Sequence, residues 1–231
     1  MFNLRSIPTV TRNILIISAL TYLATTLLQD RVDLVRILGL HYFQASDFKP
    51  YQFVTYIFMH GGFFHLFLNM FALFMFGATL ENAWGPKRFL IFYIFTGLGA
   101  ALTQLTIYYF QIEPKLEYIQ ALLEKATSYQ DQSQILEAKK NFLNSFVVVG
   151  ASGSLFGILI AFGMMFPNTQ LMIIPIPIPI KAKYLVAIYG GIELISGLRA
   201  NPEDNVAHFA HLGGMLFGFI LMMIWRRKYR Y

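Results

Sequence analysis

A serine flanked by glycines stands directly before a long apolar run, at Gly150-Ala-Ser152-Gly153. Glycines beside a serine let backbone N–H groups approach a substrate carbonyl, and the start of a helix favours a developing oxyanion. Small residues of this kind also occur where membrane helices simply pack closely. The motif therefore becomes a candidate nucleophile only if the chain supplies a base near Ser152.

Two histidines open a later apolar run, in the segment Asn-Val-Ala-His208-Phe-Ala-His211-Leu-Gly-Gly. A serine and a histidine can exchange a proton when their atoms lie about 2.6–3.2 Å apart, which requires close helix approach. Small residues four apart favour such approach. Two pairs have this spacing, Gly153 with Gly157 and Gly214 with Gly218.

His65 and Asn69 are four residues apart inside a third apolar run. This spacing puts both side chains on one face of a helix. An ionisable side chain within an apolar span is a functional candidate, and donors beside a nucleophile can stabilise an oxyanion. The alternative is a hydrogen-bonded pair that only joins two helices.

The composition indicates which elements carry these residues. Charged residues are 13% of the 231-residue chain, about half of the usual soluble share, and hydrophobic residues reach 56%. We therefore predict an all-α polytopic membrane protein, organised as a single membrane domain over 1–231. Six spans of about 17–25 residues can be drawn, at about 11–28, 53–80, 88–109, 146–166, 184–198 and 206–225.

The connections differ in character. Residues 29–52 are mixed and aromatic, and they include a stretch with helical spacing that suits the membrane interface. Residues 110–145 are strongly polar with apolar positions three and four apart, which predicts a helical insertion between the third and fourth spans. Residues 174–181 alternate proline and isoleucine, which predicts an extended link.

The basic residues sort by membrane side. With both termini cytoplasmic, the short inner segments are almost purely basic, whereas the outer ones are mixed, so the positive-inside rule predicts this orientation. The ends of the spans that carry Ser152, His211 and His65 then face the extracytoplasmic side, together with 110–145. The basic C-terminus is interpreted as a lipid anchor rather than a nucleic-acid patch. The inner basic residues are Arg5, Arg12, Lys87, Arg88, Lys181, Lys183, Arg226, Arg227, Lys228 and Arg230.

The ordered motifs resemble the rhomboid family of intramembrane serine proteases over about 50–225. The motifs are His-Gly-Gly-Phe-Phe-His65-Leu-Phe-Leu-Asn69, Gly-Ala-Ser152-Gly and Ala-His211-Leu-Gly-Gly. The resemblance implies a six-helix bundle that cleaves transmembrane substrates entering laterally from the bilayer. It implies Ser152 as nucleophile, His211 as general base and acid, and His65, Asn69 and the Ser152 N–H as the oxyanion hole. Phe156 would pack on the His211 ring, and a bacterial inner membrane is the expected location.

The remaining polar residues receive lesser roles. His211 has Gly214 three residues on, as the family motif requires, so His208 is assigned a structural or peripheral role. His60 precedes a Gly-Gly break and is expected to support the site through a hydrogen bond. We predict no carboxylate beside His211, because Asp204 lies in the preceding loop, and the resemblance implies a Ser–His dyad without metal or cofactor.

Three alternatives remain open. The histidines at 60, 65, 208 and 211 suit a metal site, but no HExxH motif accompanies them. A rhomboid-like pseudoprotease that binds membrane clients usually lacks the serine or the histidine, and both are present here. A transporter would show paired repeats with intramembrane charges, which are not visible.

Overall fold

Ten α-helices form most of the protein in a computed structural model, which describes residues 6–173, 176–199 and 206–229. Their bounds are α1 Thr9–Leu28, α2 Leu34–Leu38, α3 Gln52–Thr55, α4 Phe63–Ala72, α5 Ala78–Trp84, α6 Pro86–Lys125, α7 Tyr129–Asn144, α8 Ser152–Met165, α9 Ala182–Arg199 and α10 His208–Tyr229. A 3-10 turn, Tyr56–Phe58, follows α3, and a π-helical turn, Leu73–Gly77, joins α4 to α5.

Two short antiparallel strand pairs complete the fold. Strand β1 (Leu40–His41) pairs with β2 (Val147–Val148), which ties the first long loop to the segment before α8. Strand β3 (Gln170–Ile173) pairs with β4 (Ile176–Lys181). The extended backbone predicted for 174–181 is observed over 176–181, and residues 174 and 175 lie outside the described part.

Within the described residues, four helical segments are long and apolar enough to cross a membrane: Thr9–Leu28, Phe63–Trp84, Pro86–Lys125 and His208–Arg226. Their outward faces are apolar, since Leu20, Phe64 and Leu216 are 59%, 77% and 54% exposed. Exposed apolar surfaces of this kind are unfavourable in water and favourable in contact with lipid. The protein is therefore a helical integral membrane protein. Helix α8 is apolar but has 14 residues, so the count of six spans stays a prediction.

Two predicted spans begin later than the sequence pattern indicates. The second span starts at Phe63 rather than about 53, because Gly61 and Gly62 interrupt the helix and 53–62 holds a helical turn, a 3-10 turn and a loop. The fourth starts at Ser152 rather than about 146, because β2 and Gly150, with φ of +130°, precede it. The apolar residues that precede each helix are not part of it, and in the sequence they cannot be distinguished from the span itself.

The third predicted span continues without a break into the polar segment. Helix α6 has 40 residues and is therefore about 60 Å long, twice the thickness of a bilayer hydrocarbon core. Its polar end must project beyond the lipid, and α7 returns alongside it, with Lys115 Nζ 5.5 Å from the centre of the Phe142 ring. Residues 110–145 thus form a helical hairpin whose first arm continues α6.

Helix α10 packs against both α6 and α8, which also pack against each other. Its glycines set the spacing: a Cβ at Gly214 would collide with the carbonyl oxygen of Gly153, and one at Gly218 would lie 3.0 Å from Gly157 Cα. The two glycine pairs predicted from the sequence therefore meet. A Cβ at Gly157 would also lie 2.5 Å from Thr96 Cβ of α6, so α8 is held closely by both neighbours.

Glu81 joins α1 to the bundle. This buried carboxylate accepts hydrogen bonds from the backbone N–H groups of Val10 and Thr11, at 2.8 and 2.7 Å. The first N–H groups of a helix lack intrahelical acceptors, and an anion there also interacts favourably with the helix dipole. Glu81 therefore caps α1 from another helix, which gives it a structural role.

Candidate active site

Ser152 is the first residue of α8, and the backbone before it is shaped for close approach. Gly150 has a φ of +130°, which side-chain-bearing residues rarely adopt, and its N–H donates to the Tyr56 carbonyl at 2.9 Å. A Cβ at Gly150 would lie 2.8 Å from the His65 ring. The N–H groups of the first turn of α8 have no intrahelical acceptor, so they remain available beside the Ser152 hydroxyl.

His211, in the first turn of α10, contacts that hydroxyl. Its Nε2 lies 2.8 Å from Ser152 Oγ, within the range of a serine–base hydrogen bond. The Phe156 ring, one turn along α8, stacks on the imidazole with centroids 4.3 Å apart and planes 9° from parallel. Since His211 is only 7% exposed, its ring is held in one orientation by packing and by the hydrogen bond.

His65 and Asn69, on α4, line the same cavity as Ser152 and His211. The cavity has a volume of about 960 Å³. Asn69 is 8% exposed, and its Nδ2 has no hydrogen-bond partner among the described residues. A buried donor without a partner is unfavourable and usually has a functional explanation. The four predicted residues thus converge from three helices, with an unused donor among them.

The other histidines lie around this cluster or away from it. The His60 ring packs edge-on against His65 with centroids 5.0 Å apart, and its Nδ1 lies 3.3 Å from the Phe58 carbonyl oxygen. Burial lowers the pKa of His60 to about 4, so this imidazole stays neutral near pH 7. His41 is buried in β1, with its Nε2 2.8 Å from the Arg36 carbonyl oxygen.

The structure contradicts the prediction that no carboxylate lies beside His211. Glu193 Oε2, on α9, is 2.9 Å from His211 Nδ1 and 2.6 Å from His208 Nδ1. Glu193 is the only acidic residue in the sequence of α9, Ala182–Arg199, and an acid within an apolar helix is a functional candidate by default. That signal was present in the sequence, but the order of residues does not reveal which histidine an acid on another helix meets.

Glu193, His208 and His211 also form a group whose potential metal ligands all lie within 4.8 Å of one another. Zinc ligands at about 2.0–2.1 Å in tetrahedral geometry are separated from each other by about 3.3 Å. The carboxylate oxygen is nearer than this to both imidazole nitrogens, at 2.6 and 2.9 Å. These separations suit a hydrogen bond and a close ion pair between the carboxylate and the imidazoles better than a shared metal ion.

The fold and the cluster together define a helical membrane protein with a serine and a histidine in contact at one end of its bundle. The model of the Rhomboid domain matches residues 47–228 of this sequence. This match covers most of the chain and includes every residue of the cluster. The chain therefore belongs to the rhomboid family.

Relatives with this domain occur in organisms far apart. The chain is 27% identical over 163 residues to Rhomboid protein 1, mitochondrial, of Saccharomyces cerevisiae, which covers 71% of this chain and 38% of the yeast protein. It is 28% identical to Rhomboid protease AarA of Providencia stuartii, over 71% of this chain and 51% of that protein. The Putative rhomboid protease YdcA of Bacillus subtilis is 26% identical, over 78% and 71%. The chain thus spans well under two thirds of the yeast and Providencia proteins.

Proposed function

We propose that this protein is an intramembrane serine endopeptidase in which Ser152 is the nucleophile and His211 the general base and acid. The observation that carries the proposal is the 2.8 Å separation of His211 Nε2 and Ser152 Oγ at the start of α8, inside a cavity. A serine hydroxyl is a weak nucleophile unless an adjacent base accepts its proton. The relatives whose names state that they are rhomboid proteases support the same chemistry.

The reaction follows from these positions. Ser152 Oγ attacks the substrate carbonyl carbon as its proton passes to His211 Nε2, and the carbonyl oxygen becomes negatively charged. His211 then gives that proton to the leaving amine, so the peptide bond breaks and an acyl-serine ester remains. Water attacks the ester with His211 again as base, and Ser152 recovers its proton as the acid product leaves.

The negative charge would be met by three donors: the Ser152 N–H, a His65 ring nitrogen and Asn69 Nδ2. The last has no partner within the described residues, so it is available to the oxyanion without breaking another bond. Donors held in place before the reaction stabilise charge without reorganisation. We assign His65 and Asn69 to the oxyanion hole on this basis.

The substrates we propose are transmembrane segments of other proteins that reach the cavity laterally from the bilayer. A helix has its own backbone hydrogen bonds, so a segment must unwind before its carbonyl carbon becomes accessible. A water-accessible cavity within a lipid-facing bundle supplies both the nucleophile and the water that the second step consumes. Lipid is the other partner, through the basic C-terminal end.

A fluorophosphonate probe tests the serine assignment directly. We expect purified wild-type protein to react covalently with the probe and the Ser152→Ala variant not to react, because the probe traps only an activated serine. Mass spectrometry of the labelled peptide locates the adduct. Equal labelling of Ser152→Ala would contradict the proposal, and activity that a chelator abolishes and zinc restores would favour a metalloenzyme.

We further propose that both termini are cytoplasmic and that the cavity opens on the extracytoplasmic side, in a bacterial inner membrane. Ser152, His65 and His211 stand near the first residues of α8, α4 and α10, at one end of the bundle. The opposite end holds Trp84 against Trp225, with ring centroids 5.4 Å apart, beside basic residues. Tryptophans are typical of either membrane interface, and basic residues favour the cytoplasmic one.

A tag inserted into 110–145 tests this orientation. External protease added to intact cells should remove the tag, while a tag fused after residue 231 should be removed only after lysis, because the membrane protects it. Immunoblotting both tags on the same cells provides the measurement and its internal control. The opposite pattern would invert the orientation without affecting the serine assignment.

A further inference from the structure

Glu193 is a buried acid that the serine–histidine mechanism leaves without a role. It is 8% exposed, although its neighbours Ile192 and Leu194 on α9 are 50% and 47% exposed. A carboxylate taken out of water is costly unless hydrogen-bonded or paired. Its Oε2 lies between two imidazole nitrogens, His208 Nδ1 at 2.6 Å and His211 Nδ1 at 2.9 Å.

We propose that Glu193 is the positioning residue of His211, so that Ser152, His211 and Glu193 act as a triad. The proposal rests on the serine protease function proposed above. Ser152 Oγ faces Nε2 of the imidazole and Glu193 faces Nδ1. A carboxylate at Nδ1 favours the tautomer that carries its proton there, which leaves the Nε2 lone pair free to accept the serine proton.

The two contacts of the carboxylate are not equivalent. The oxygen makes a hydrogen bond with His208, whereas its approach to His211 Nδ1 is short without the alignment of a hydrogen bond. His208 therefore holds the carboxylate in position beside His211. As His211 takes the Ser152 proton, the ring becomes an imidazolium with protons on both nitrogens, and its attraction to the ionised carboxylate increases. Glu193 keeps its charge throughout, and the transferred proton leaves with the amine.

The charged and titratable groups around the imidazole belong to several helices. Glu193 of α9, His208 of α10 and His65 of α4 interact with His211. Glu193 is the only negative one among these three. Among these described groups, Glu193 therefore supplies the charge that compensates an imidazolium formed during the reaction.

Glu193→Gln keeps the shape of the side chain and removes its charge. We expect kcat to fall by about 10²-fold with KM changed by less than about twofold, since the charge acts on the transition state rather than on substrate binding. The rate of fluorophosphonate labelling at Ser152 should fall with kcat. Glu193→Asp keeps the charge and should recover a substantial part of both rates. Measurements use the purified full chain in vesicles with a transmembrane peptide substrate, per folded molecule.

Glu81→Gln is the matched control, because Glu81 is an equally buried glutamate that caps α1 away from the cavity. It should lower the melting temperature and leave kcat unchanged. A normal kcat per folded molecule in Glu193→Gln would overturn the inference while leaving the proposed function intact. Wild-type protein that neither cleaves nor labels would overturn the proposed function and the triad with it. If Glu193→Gln does not fold, Glu193→Asp with a lowered kcat and unchanged KM still supports the inference.

Discussion

Ser152→Ala and His211→Ala should each lower proteolysis by at least about 10⁴-fold while the protein remains folded. In the proposed mechanism the hydroxyl forms the bond to the substrate and the imidazole carries the proton, so neither residue can act alone. The double variant should be no slower than either single one, because nucleophile and base work as a unit. Cleavage of a transmembrane peptide in vesicles, followed by gel or mass spectrometry, gives the rates.

Ser154→Ala is a control two residues after Ser152 on the same helix. Ser154 Oγ is buried and donates to the Tyr93 carbonyl at 2.9 Å, outside the cavity. Its loss should cost about 1 kcal/mol of stability and leave turnover normal. Proteolysis by a clean Ser152→Ala preparation at a rate near wild type would end the serine mechanism, whatever the control shows.

The sequence predicts which residues lie together better than it predicts the boundaries of the elements. Spacing alone places His65 and Asn69 on one helix face, and the glycine pairs predict that α8 and α10 approach closely, as Gly214 against Gly153 shows. These features are local or depend on residue size. They do not require knowledge of which helices are neighbours.

The first residues of α4 and α8 and the carboxylate beside His211 could not be predicted from the sequence, because both depend on the folded chain. The apolar residues before Phe63 and Ser152 are predicted to be parts of membrane spans. In the structure, glycines precede both helices and strand β2 precedes α8, so the helices begin later. The polar segment after about 109 is helical as predicted, but that its first helix continues α6 without a break is visible only in the structure. Glu193 is a lone acid in an apolar helix that the sequence did not lead us to predict as a site residue, because its contact with His211 depends on how α9 packs against α10.

The organisation of the cluster suggests why several helices are needed for one reaction. The donors and acceptors lie within the first two turns of α4, α8 and α10, and the glycine contacts fix the separation of α8 and α10. A rigid bundle therefore sets the positions that a flexible loop would leave variable. The catalytic power expected from each donor should consequently depend on its placement, which can be measured residue by residue.

His65→Ala and Asn69→Ala should each reduce kcat by about 10²–10³-fold, which is typical for loss of one oxyanion donor. The remaining side chain and the Ser152 N–H would still face the oxyanion, so the residual rate should exceed that of Ser152→Ala. KM should change little, since the charge exists only in the transition state and intermediate. Kinetics and thermal melting are measured on the same preparations.

Gln52→Ala is the matched control for Asn69→Ala, because both residues are buried amides. The Gln52 side chain is used within the loops: its Nε2 donates to the Ile37 and Asp47 carbonyls, and its Oε1 accepts from His41 N–H. Gln52→Ala should therefore lose melting temperature and keep normal turnover per folded molecule. Asn69→Ala should instead keep its melting temperature and lose turnover. Its Nδ2 has no partner among the described residues, so it contributes little to folding. If Asn69→Ala instead loses stability and keeps its turnover, His65 and Asn69 are a structural pair and the oxyanion must be held by backbone N–H groups at the start of α8.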